Sequence, residues 1–177
     1  DLPRVRREVR RFGERFAFTY PPSLAQTMDA LAGWKDVTAF VEIKRASLRK
    51  FGREIVLRRV ADVVAQAVNR CVLISFDLPS LRILRLMTGA RIGWVLPTYD
   101  ESAAADAAAV APEFLFCNLE RLPPATEPLW SGPWEWAIYE VPDLKTARDC
   151  QSRGVRFVET MSVRALLAAY QQSRRRW

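Results

Sequence analysis

Residues 71–96, CVLISFDLPSLRILRLMTGARIGWVL, decide how this chain folds. Cys71 to Phe76 is a short apolar run, interrupted by Ser75, of the kind that suits a strand buried on both faces. Asp77 then stands where a helix needs its N-cap, Pro79 falls in the first turn, and Leu81, Leu84 and Met87 recur along one edge. Gly89 stops that helix, and Ile92 to Leu96 returns to strand. A strand, an amphipathic helix and a second strand form a βαβ unit, whose strands pair in parallel.

The same punctuation recurs outward in both directions. Upstream, Pro21-Pro22-Ser23 opens a helix with Leu24, Met28 and Leu31 on one face and Gly33 as its stop. A strand over Val37 to Ile43 follows, and then a helix between Glu54 and Asn69 that buries Val56, Val60, Val63, Val64 and Ala67. Downstream, Asp100 or Ser102 opens an alanine-rich helix closed by Pro112, and Phe114 to Cys117 reads as a fourth strand. Four prolines between Leu122 and Pro133 put a loop where the next helix belongs. Trp134 to Tyr139 is a fifth strand, Asp143 caps a helix that ends before Gly154, and Val155 to Glu159 is a sixth. Ser162 starts a last helix with Val163, Leu166, Leu167 and Tyr170 on its stripe. The fold class is α/β, six parallel strands alternating with helices, as either an open doubly wound sheet or part of a β/α barrel. With only seven glycines and neither G-x-G-x-x-G nor G-x-x-x-x-G-K-[ST], the chain has no glycine-rich nucleotide turn.

Composition narrows the chemistry. The 177 residues contain no histidine, which removes Ser-His-Asp triads, imidazole bases and His-ligated metals from what they do unaided. Cys71, Cys117 and Cys150 are far apart, suggest neither a disulfide framework nor a zinc site, and fit a reducing compartment. The expected location is cytoplasmic, with the periplasm left open. The longest apolar run, Val60 to Val68, is broken by Asp62 and Gln66, so no transmembrane segment is expected. The net charge of +7 gathers at the ends: residues 1–15 carry +3, Arg174 to Arg176 another +3, and everything between only +1. Charge at two termini is not a basic face, which argues against a nucleic-acid partner.

Phe40-Val41-Glu42-Ile43-Lys44 is the local anomaly. Side chains two apart on a strand share a face, so Glu42 and Lys44 project together, away from Val41 and Ile43. At the carboxyl end of a barrel strand, two inward charges would be costly without a ligand, a metal ion or each other. A self-contained ion pair is the alternative.

These residues, together with Val72-Leu73-Ile74-Ser75-Phe76-Asp77, Leu81-Arg82, Ile92-Gly93-Trp94-Val95-Leu96, Trp136-Ala137-Ile138-Tyr139, Gly154-Val155 and Glu159-Thr160, resemble the glycerophosphodiester phosphodiesterase family. The match runs from about Pro21 to Leu167 and corresponds to the later three quarters of a family barrel. The resemblance implies a partial (β/α)8 TIM-type barrel. It also implies hydrolysis of glycerophosphodiesters to glycerol 3-phosphate and an alcohol, with a divalent cation, Mg²⁺ or Ca²⁺, as cofactor. By the same resemblance Glu42 is a metal ligand, and Lys44 is the catalytic lysine beside the phosphate. Trp136 is the aromatic against which the glycerol lies, although packing with Trp130 and Trp134 would explain it equally well. Asp77 reads as a helix cap and Cys117 as an apolar buried thiol.

The family's His-Arg-Gly strand, its acidic pair and its second histidine are absent, so the 177 residues alone are not expected to turn over substrate. An upstream segment, a partner chain or a catalytically dead remnant would each account for this, and the non-Met start favours the first. The alternative function is a non-catalytic α/β module binding a phosphorylated small molecule or a protein. The expected organisation is one domain over 1–177, with a basic lead-in over 1–20, the barrel portion over 21–172 and a basic tail over 173–177.

Overall fold

The computed structural model describes residues 21–34 and 36–174; the lead-in over 1–20 and all of the tail beyond 174 lie outside them. The chain divides between Val37 and Thr38 into two units. Of the first, helix α1 (Leu24–Ala32) is described. Its start follows from a reciprocal capping box: the Ser23 hydroxyl accepts from Gln26 N at 3.2 Å, while Ser23 N donates to the Gln26 side chain at 2.8 Å.

In the second unit, six strands among the described residues form one parallel sheet in chain order: β1 (Ala39–Glu42), β2 (Cys71–Ser75), β3 (Arg91–Val95), β4 (Phe114–Asn118), β5 (Glu135–Tyr139) and β6 (Phe157–Val158). Helices α2 (Arg45–Phe51) and α3 (Arg53–Val64) connect β1 to β2, and α4 (Leu78–Thr88) connects β2 to β3. Next come α5 (Glu101–Val110) after β3, α6 (Leu144–Ser152) after β5 and α7 (Val163–Arg174) after β6. No helix among the described residues is long and apolar enough to cross a membrane.

Ring contacts between the outermost strands decide between the two architectures. Six strands laid flat at about 4.8 Å spacing would hold β1 and β6 roughly 24 Å apart. Yet the Phe40 ring on β1 lies 5.9 Å from that of Phe157 on β6, and both lie within 5.6 Å of Phe114 on β4. The sheet therefore curls into a half-barrel. Its concave face is filled by Val72, Ile74, Val95, Phe114, Phe116 and Ala137, with Phe40, Phe76, Tyr139 and Phe157 packed against them. Gly93 leaves the space these rings occupy.

The structure adjusts several boundaries. The expected helix from Glu54 to Asn69 is α3 followed by a tight 3₁₀ turn over Ala65–Arg70, broken where Ala67 leaves helical geometry. Helix α2 was not foreseen; Gly52, at φ 84, separates it from α3. The expected sixth strand shrinks to two residues, Phe157 and Val158. The proline-rich loop is tied down by Arg153, whose guanidinium donates to the carbonyls of Pro123, Pro124 and Glu127 at 3.0–3.3 Å.

Candidate functional site

The carboxyl end of β1 is held in register from below. Ile43 N donates to the Ile74 carbonyl at 2.8 Å, continuing the β1–β2 ladder past the strand's last residue. The fully buried Ser75 hydroxyl donates to the Ile43 carbonyl at 2.7 Å and accepts from Asp77 N at 3.0 Å. One buried hydroxyl thus fixes both strand tips and satisfies two backbone groups that burial would otherwise penalise.

Alternation then places the charged pair. Phe40 is on the concave face, so Glu42, two residues on, projects to the same side. The Glu42 carboxylate accepts a hydrogen bond from the Lys44 ammonium, and these side chains are 25% and 67% exposed. The pair stands at the rim of the hollow, open to solvent. Arg45 adds a second cation, its guanidinium lying 4.9 Å from the centroid of the Phe76 ring, which packs on the concave cluster.

Two further groups reach this rim. Tyr139 ends β5 with the orientation of Ala137, hence on the concave face, and is half-buried. Burial pushes its phenol up, and the carboxylates of Glu159 and Glu42 push the same way against the opposing charge of Arg121. Arg121 donates to the Pro97 carbonyl at 2.7 Å. Neither Tyr139 nor Arg45 was assigned a role from sequence. Tyr139 was legible in principle, because the alternation that pairs Glu42 with Lys44 also sets Tyr139 opposite in sense to Trp136.

The same alternation decides on which side of the sheet Trp136 lies. Ala137 belongs to the concave cluster, so Trp136 projects to the other side of the sheet, where it is 5% exposed. Its indole N–H donates to the Trp130 carbonyl at 3.2 Å, beside the Tyr99–Trp130 stack. Trp136 anchors the loop before β5 and is not presented to the mouth.

Asp77 is the N-cap of α4: its carboxylate accepts from Ser80 N at 3.1 Å and pairs with Arg53 at 3.1 and 3.2 Å. Burial alone would raise this carboxyl, but the bonds from Ser80 and the Arg53 guanidinium outweigh it and hold it below the ordinary value. Cys117 faces away from the hollow and is fully buried, which pushes its thiol up to about 11. A neutral thiol is no nucleophile at neutral pH. Because the unfolded thiol titrates near 9.0 and the folded one near 11, stability should fall as pH rises through that interval. The urea midpoint measured across it checks this, and a Cys117→Ala variant should show a shallower decline.

The donor set for a divalent cation is incomplete. Among the described residues no group of three or more His, Cys, Asp or Glu side chains is placed to hold a metal ion. Glu42 is one carboxylate already bonded to an ammonium, whereas Mg²⁺ or Ca²⁺ takes about six or more oxygens. The described residues do not by themselves fit the cation.

No family model matches the sequence, and no curated protein matches it. Solved structures do match in fold. A glycerophosphodiester phosphodiesterase from Parabacteroides distasonis aligns with TM-score 0.66 and 15% identity, over 86% of this chain and 65% of that one. A protein from Silicibacter pomeroyi assigned as a glycerophosphoryl diester phosphodiesterase aligns with TM-score 0.64 and 18% identity, over 78% and 52%. One from Galdieria sulphuraria, assigned as a glycerophosphodiester phosphodiesterase, gives 0.64 and 13%, over 83% and 63%. The chain thus spans about half to two thirds of the length of these structures. At such identities the likeness is one of fold alone, a partial TIM-type barrel.

Proposed function

We propose that this half-barrel is the phosphate-handling part of a phosphodiesterase that hydrolyses glycerophosphodiesters to glycerol 3-phosphate and an alcohol. The observation that carries the reading is the Glu42–Lys44 pair at the concave rim of β1, in a fold shared with glycerophosphodiester phosphodiesterases. Lys44 supplies a fixed positive charge against the negative charge that builds on the phosphoryl oxygens during hydrolysis. Arg45 stands next to it in sequence and adds a second cation for the phosphate. Tyr139, rather than Trp136, offers a phenol and an aromatic edge to the glyceryl group. Glu42 would supply one carboxylate to a divalent cation if the remaining oxygen ligands came from outside the described residues. The reading further assigns the acid and the base to histidines outside these 177 residues, which hold none.

The test is release of glycerol 3-phosphate from glycerophosphocholine, with and without a chelator. The full-length gene product should release it in a metal-dependent way, while the 177-residue chain alone should show negligible turnover. No hydrolysis by the full-length product would overturn the reading in favour of a binding module. Substantial hydrolysis by the isolated chain would overturn the assignment of acid and base to groups outside it.

A further inference from the structure

Counting charge along the chain conceals how it is distributed in space. Helices α2, α3 and α4 carry Arg45, Arg49, Lys50, Arg53, Arg58, Arg59, Arg82 and Arg85 against Glu54 and Asp62, a net +6. The rest of residues 16–173 sums to −5, so the near-neutral body is a cationic flank set against an acidic remainder. Several of these cations are committed: Arg53 to Asp77, Arg58 to Glu54 and Arg85 to Glu113. Among the described residues Arg49, Lys50, Arg59 and Arg82 form no ion pair and are exposed.

The same flank exposes large apolar side chains. Leu86 is 88% exposed, Ile55 56%, Phe51 55%, Met87 49% and Ile83 40%. Ile83 and Met87 line a groove of about 360 Å³ with Leu57, Arg53, Glu54 and Arg58, so the outward faces of α3 and α4 form one surface. On that surface the cations lie among the apolar groups instead of around them. A protein interface has an apolar core depleted of charge and a polar rim, which this surface lacks. Nucleic acid would use the cations but leave Ile55, Ile83, Leu86 and Met87 without a purpose. An anionic bilayer uses both, because apolar side chains enter the acyl boundary while arginines meet lipid phosphates at headgroup level.

We propose that the α3–α4 flank, extended by the end of α2, is a docking surface for an anionic lipid bilayer. Each cation near such a surface strengthens binding by about fivefold, screened as salt rises. The test is cosedimentation of the 177-residue chain with vesicles of phosphatidylcholine, alone or mixed with phosphatidylserine, at low and high salt. The mixed vesicles should bind at least about tenfold more protein. Arg59→Glu with Arg82→Glu should lower that binding by more than about tenfold, and Ile55→Ser with Leu86→Ser by several-fold, even at low salt. All four residues are exposed, and an unchanged urea midpoint verifies that the variants fold. Equal binding to both vesicle types overturns the proposal. So does full binding by the arginine variant, which would assign attraction to the basic termini. Full binding by the serine variant, with displacement by duplex DNA, would make the flank a nucleic-acid surface and also overturn it.

Discussion

Lys44→Ala in the full-length gene product should lower kcat for glycerophosphocholine by about a hundred- to a thousandfold, the usual loss when one preorganised group stabilising transition-state charge is removed. The expectation rests on the proposed function and on the position of the ammonium at the concave rim beside Glu42. Stability should scarcely change. With Lys44 67% exposed, its pair with Glu42 is worth less than about 1 kcal/mol. A steady-state kcat together with a Tm separates the two effects. Glu42→Ala should abolish metal-dependent turnover with the fold equally intact. An unchanged kcat in Lys44→Ala would remove the lysine from the site, whatever the rest of the barrel does.

Gly93→Val should destabilise the half-barrel by about 3 kcal/mol, read as a fall in the urea midpoint without a change in slope. Gly93 lies on the concave face of β3, paired with Ile74 on one side and Phe114 on the other. A Cβ there would stand 2.8 Å from Cε2 of Phe116, 2.9 Å from Cγ2 of Ile74 and 3.2 Å from Cβ of Phe114. Its conformation is one any residue adopts, so the cost is steric. The rings that would have to yield are those that hold β1 and β6 together across the concave face. Gly93→Ala should cost less, because its single methyl group crowds Phe116 and Ile74 without the two further Cγ atoms of valine. Full stability of the valine variant would mean that the hollow is not filled as described.

Much of this architecture was legible before the structure. Asp77, Pro79 and Gly89 punctuate α4 where the sequence places them, because caps and stops are local properties of a few residues. Glu42 and Lys44 were placed together by the two-residue period of a strand. What was not legible depends on neighbours distant in sequence. Trp136 and Tyr139 occupy one strand, and which of them faces the hollow is set by the register of β5 against β4, where Leu115 meets Trp136 and Phe116 meets Ala137. The family pattern drew attention to the tryptophan, while the register favours the tyrosine. Helix α2 was missed because its seven residues, three of them basic, show little apolar periodicity. The cationic flank was missed for a related reason: compensating carboxylates are close in number but lie on other elements.

Each strand is bonded to the one that precedes or follows it along the chain, from β1 through to β6. Every hydrogen-bonded pairing is therefore reached by closing one connection, and the entropy of each closure grows only slowly with its length. Among the described residues, the edge-to-face contact of Phe40 with Phe157 joins the first strand to the last. Assembly can begin at the central strands and spread outward one neighbour at a time, as in a repeat array. Curvature, and with it the approach of the two margins, would then be acquired last and surrendered first when the protein unfolds.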